Sequence, residues 1–299
     1  MKLRSKLFYS YLVFVAVYAA ATLLPAPFPA TLIRYHISAL GLRMLDVTII
    51  IILSAIWFVS FYGYAKLRSY SQLIRKSKDG KQVAKLATGL WFLVFWLPVS
   101  MVSSALLNDL ATKHLELLSS VTIINNYVSL LFPLAGFTFI SMGARGLSEL
   151  VKQRPGQRAT NVLAGVLVYI GLIDYHLVAS TQDRASIYHL SLWLIMTTLV
   201  APYIYMWFIG LLATYEIYNY RLKASGVLYR DSWRLLAFGL GWLIIMSIGF
   251  QYLTTVISRL DRLSIYWILG IIYSLLLILS VGFVLIAAGS RKLKKMEEV

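Results

Sequence analysis

The sequence predicts an all-α integral membrane protein of eight transmembrane helices with both termini in the cytoplasm, and three observations carry that prediction. The chain is 60% hydrophobic and only 13% charged, with a mean hydropathy of +0.75. That is about half the charge of a soluble domain. Apolar stretches recur along the whole length, each of about 18 residues or more, enough to cross a hydrocarbon core of about 30 Å as a helix. The polar segments between them stay below about 20 residues, too short to bury a core of their own.

The spans are read at roughly 7–24, 45–65, 86–107, 126–147, 160–180, 189–213, 234–257 and 264–289. The first follows a basic start (Lys2, Arg4, Lys6) and stops at "PAPFPA", residues 25–30, where proline cannot continue a helix. It resembles a signal peptide, with Ala19, Ala20 and Ala21 as small residues. It is read as an uncleaved span because the repeat described below needs it. The second and third spans are separated by the charged turn "RKSKDGK" at 75–81. "KQRPGQR" at 152–158 closes the fourth, and "SRLDRLS" at 258–264 links the seventh to the eighth. Between the third and fourth, "LATKHLELLSS" at 110–120 has the leucine spacing of a helix lying on the outer surface. The tail "GSRKLKKMEEV" continues the last span as a basic stop, or as the start of a helix joined to an output domain.

Orientation follows from lysine and arginine. Of the 28 basic residues, Arg34, Arg43, Lys113, Arg184, Arg259 and Arg262 fall on one face, and all the others lie at the termini and in the alternate loops. The positive-inside rule therefore puts both termini in the cytoplasm. The net charge of +16 is assigned to these loops and not to nucleic-acid binding, since no folded platform backs a basic patch. The location expected is the plasma (cytoplasmic) membrane, with the bilayer as principal partner and a cytoplasmic signalling or membrane protein as a further one.

Two short phrases recur. Tyr35-His36-Ile37-Ser38 matches Tyr188-His189-Leu190-Ser191. "LATGLWFL" at 86–93 matches "LAFGLGWL" at 236–243, and "GARGL" at 143–147 matches "GSRKL" at 289–293. The order is preserved, which predicts a four-plus-four internal repeat with halves 1–152 and 153–299. An even number of spans returns the chain to its starting side, so the copies are parallel, related by an axis along the membrane normal. Gly89 and Gly239, like Gly143 and Gly289, are candidates for close helix approach.

Ionisable and amide groups gather at the outer ends of the spans: His36, Asp46, Asp109, His114, Asp174, His176, His189 and Gln251. Asp174 is the sharpest. It lies about four residues inside its span, where a carboxylate is expensive and faces a cavity or a partner. The candidate ligand- or proton-binding set is Asp174, His176, His189, His36, Gln251 and Asp109. Three readings are open for the histidines: metal ligands together with Asp174, proton sensors between pH 5 and 8, or interfacial residues beside belt tyrosines. "YEIYNY" at 215–220 reads as an inner aromatic belt, with Glu216 beside it. The middle of the spans offers only hydroxyls, aromatics and the prolines Pro98, Pro133 and Pro202.

Several chemistries are excluded. There are no cysteines, so no disulfide, thiolate metal site or iron–sulfur cluster forms. No P-loop, GxSxG, HExxH or GxGxxG motif occurs, and no mid-span lysine is present to hold retinal. The expected function is a multi-pass receptor or sensor module with a ligand, metal or proton site at its extracytoplasmic rim. The alternative is a transporter of a small uncharged solute with pseudo-twofold halves. A membrane-embedded metal-dependent enzyme ranks third, for want of an acid–base pair.

Overall fold

The computed structural model describes residues 39–113, 118–150, 201–221, 227–257 and 265–297. These form six long helices: α1 (Ala39–Leu73), α2 (Lys78–Lys113), α3 (Leu118–Glu149), α4 (Ala201–Tyr220), α5 (Val227–Ile257) and α6 (Ile265–Glu297), with no strand among the described residues. Three of them carry stretches long and apolar enough to cross a membrane: Leu130–Glu149, Tyr229–Gly249 and Ser274–Lys294. Large apolar side chains also lie exposed on the outside of the helices, among them Ile51, Phe58, Phe208, Phe238, Ile245 and Val284. That is the distribution of a protein whose solvent is lipid.

The helices overrun the apolar windows read from sequence. α1 extends to Leu73 and α2 starts at Lys78, because charged residues at a helix end can stand in the headgroup layer while the backbone stays hydrogen-bonded. The turn between them is built locally. The Ser77 backbone N–H donates to the Ile74 carbonyl at 2.9 Å. Ser77 Oγ caps α2 by accepting from the Gly80 N–H at 2.9 Å, and Asp79 in the first turn favours the helix dipole. A Cβ on Gly80 would stand 2.0 Å from the Ile74 carbonyl oxygen, so the turn closes only around glycine. Of the surface helix expected at 110–120, residues 110–113 end α2 and 118–120 begin α3, and the four between them lie outside the described residues. Inside the spans, Thr88, Thr138 and Thr214 donate to the carbonyls of Ala84, Leu134 and Gly210, which satisfies their hydroxyls within their own helices.

Each helix packs mainly on two others, and the circuit closes: α1 on α2, α2 on α3, α3 on α4, α4 on α5, α5 on α6 and α6 on α1. The tightest joints are α2–α3 and α5–α6, where glycines let backbones meet. A Cβ on Gly89 would lie 2.5 Å from the Gly136 carbonyl oxygen and against Ile140; one on Gly239 would lie 2.7 Å from the Gly282 oxygen and against Ile286. Gly143 meets the Gln82 carbonyl and Leu86, and Gly289 meets the Ser232 carbonyl and Leu236. The two joints therefore use the same contacts, at positions 150 residues apart on one helix and 146 on the other.

The core lies inside this ring. Trp57, Trp207, Trp233 and Tyr70 are its largest fully buried side chains. At the centre a small apolar cavity of about 10 Å³ is lined by Leu67, Leu86, Leu90 and Ile140, and by Ile217, Leu236, Leu240 and Ile286. All six helices contribute to it. A gap of that size and lining stays dry.

Candidate functional site

Asp174, His176, His189 and His36 lie outside the described residues, as do the first and fifth predicted spans. Asp109 lies in the last turns of α2 and Gln251 in the last turns of α5. The direction of each helix is set by contacts at the other end. The last residues of α1 and α4 meet the first residues of α2 and α5, and Gly143 and Gly289 bring the ends of α3 and α6 to the same level. Asp109 and Gln251 thus share the opposite end of the bundle, on helices that are not neighbours in the circuit.

The best-defined polar constellation stands at the end where α2 and α5 begin. Tyr70, at the end of α1, is hydrogen-bonded hydroxyl to hydroxyl with Tyr229 in the first turn of α5. Tyr220, at the end of α4, donates to Asp79 Oδ2 in the first turn of α2 at 2.7 Å. Tyr70 and Tyr220 are both buried, and Trp233 packs edge-on against Tyr220 with ring centroids 5.0 Å apart. Burial, followed by the hydrogen bond to the Asp79 carboxylate, holds the Tyr220 phenol far above its ordinary value. Tyr220 therefore stays a proton donor. It also leaves the aromatic belt expected at 215–220, because burying its ring and pairing its hydroxyl satisfies both parts of an amphipathic side chain.

Beside this clasp, three residues beyond the predicted inner end of the sixth span, is Glu216. Its Oε2 is buried and meets no donor among the described residues. Burial raises its pKa to about 7; Arg145 on α3 pulls it down and Glu149 pushes it up. Arg145 is itself held by Glu149, Nε to Oε1 at 3.3 Å. Glu216 is thus a half-buried carboxyl that changes charge near neutrality, at the seam of α3 and α4.

The clasp joins residues 141 and 159 positions apart, which no local pattern announces. One signal was present: Tyr70 and Tyr220 stand 150 residues apart, the same offset as Gly89 and Gly239. No protein family, characterised protein or solved structure matches the chain.

Proposed function

We propose that the chain is an eight-span protein of the cytoplasmic membrane, both termini inside, built from two parallel four-helix copies, and that it acts as a receptor or sensor module. Its ligand, metal or proton site lies at the extracytoplasmic rim, around Asp174, His176, His189 and His36, with Asp109 and Gln251 at the same level. The duplication is supported by the repeated glycine joints and by a shared pattern, G-F-x-x-I-x-x-G-x-R-x-L, at 136–147 and 282–293. It is supported too by the lining of the central cavity, whose eight aliphatic residues fall into four equivalent pairs.

The observation that carries the sensor reading is the inner half of the ring. It is packed with aliphatic side chains on the axis and tied across the two halves by the tyrosine clasp. Such an end transmits a shift of helices but offers a polar solute nothing to replace its water. In this reading, occupation of the rim changes the spacing of the outer helix ends, and the rigid glycine-packed pairs carry the movement to the clasp and the basic inner loops.

A transporter for a small uncharged solute is the second reading. The two-halves-around-an-axis arrangement favours it, since parallel repeats place shared sites on that axis; the apolar plug is then a closed inner gate. The test is thermal stability in detergent against pH and divalent metals, for the wild type and Asp174→Asn. A ligand-dependent shift abolished by the variant is expected. If no metal and no pH step moves the wild type, the rim site is lost. Uptake into proteoliposomes that survives Asp174→Asn selects the transporter.

A further inference from the structure

One groove departs from the repeat, and it carries chemistry of its own. On the outer side of the α4–α5 joint, near the inner ends of the helices, the rings of Tyr218 and Phe238 stand 6.1 Å apart. The Arg221 guanidinium lies 3.9 Å from the centre of the Tyr218 ring, and its Nη2 donates to the Tyr218 hydroxyl at 2.8 Å. The Arg234 guanidinium lies 5.3 Å from the centre of the Phe238 ring. Neither arginine has a carboxylate within ion-pair distance among the described residues. Phe238 and Arg234 are exposed. The equivalent positions in the first half are Arg68, Ser71, Ala84 and Thr88, where Thr88 satisfies its hydroxyl on Ala84. Packing alone therefore does not demand this arrangement.

We infer that this groove binds the phosphate of an anionic phospholipid from the cytoplasmic leaflet, held between Arg221 and Arg234. A guanidinium resting on an aromatic face keeps edge N–H donors available, and two such edges match a phosphate diester. The site lies where positive-inside loops meet the negatively charged leaflet. Below it the joint is shallow, because Gly241 has no side chain and packs directly on Thr214. Exposed Ile245, seven residues beyond Phe238 on the same face of α5, continues the apolar strip along which an acyl chain lies. The inference is independent of whether the rim site senses or transports.

Native mass spectrometry of the full chain in detergent, titrated with dioleoyl phosphatidylglycerol or dioleoyl phosphatidylcholine, tests it. The wild type should retain the anionic lipid preferentially. Arg221→Gln and Arg234→Gln should each weaken that binding about five-fold. Tyr218→Leu, which keeps both charges, should weaken it as well. Arg75→Gln with Lys76→Gln, an exposed basic pair elsewhere on the same face, should leave it unchanged. The inference is overturned by equal retention of the two lipids, by a loss as large in the Arg75/Lys76 variant, or by displacement with millimolar inorganic phosphate, which would make this a soluble-anion site. Arg234→Lys guards against misfolding, since it keeps the charge but not the planar fork, and it should still lose affinity.

Discussion

Glu216 and the tyrosines show how far single side chains set the behaviour of the end where α2 and α5 begin. The folded-state pKa of Glu216 is raised to about 7 from an ordinary 4.5. Between those values the folded chain holds a proton that the unfolded chain has released. The contribution of Glu216 to stability is therefore greatest below about pH 4.5, declines as pH rises through the folded pKa, and changes no further above it. Glu216→Gln should remove this slope. At pH 8 the variant should be more stable by about 1 kcal/mol, a figure discounted for the partial solvent exposure of the carboxyl, or roughly 2–4 °C in Tm. At pH 4.5 the two should coincide. A gap of the same size at both pH values would mean that lost packing, not charge, distinguishes them. The clasp has its own test. Tyr70→Phe and Tyr229→Phe should each cost about 1 kcal/mol. Their double variant should fall short of the sum by about 0.5–1.5 kcal/mol, because the first substitution already removes the shared bond.

At the scale of the helix, glycine decides which pairs move as one body. Gly89→Ala and Gly239→Ala push a methyl group into the facing carbonyl of Gly136 or Gly282, and each should destabilise by about 1–3 kcal/mol. Gly249 has nothing within 4 Å of the place its Cβ would take, so Gly249→Ala should be neutral or stabilising by up to about 1 kcal/mol. If all three behave alike in thermal denaturation, the close approach is not what the glycines provide. The sequence already singled out Gly89, Gly239, Gly143 and Gly289, because short matches of preserved order surrounded them. It left Gly136 and Gly282 unmarked, although both stand in the same contacts, because their neighbours are apolar residues that any span contains. The helices run past the apolar windows for a related reason: such a window stops at the first charge, whereas Lys78 and Asp79 open a helix. The clasp escaped because Tyr70 meets Tyr229 only after six helices have closed on themselves.

For the whole molecule, the tyrosine clasp and the central apolar packing stand at the end of the ring where α2 and α5 begin, and the proposed rim site requires that end to face the cytoplasm. The chain offers a clean route to measuring this, since it has no cysteine and any introduced thiol is the only one present. His36→Cys and His189→Cys should react with a membrane-impermeant maleimide added to intact cells. Arg75→Cys in the α1–α2 turn, where the native side chain is exposed, should react only after the membrane is opened, and so should Lys292→Cys near the end of α6, also exposed. Positive residues resist transfer across an energised membrane, and all but six of the 28 belong to the side that the sequence assigns to Arg75 and Lys292, so this pattern follows from the charge distribution alone. The reverse pattern would place the tyrosine clasp and the two aromatic-seated arginines outside the cell, removing both the rim-sensor reading and the cytoplasmic-leaflet lipid at once. A mixed pattern, with Arg75→Cys inside and Lys292→Cys outside, would break the parallel duplication, because two copies of an even-spanned unit must end on the side where they began.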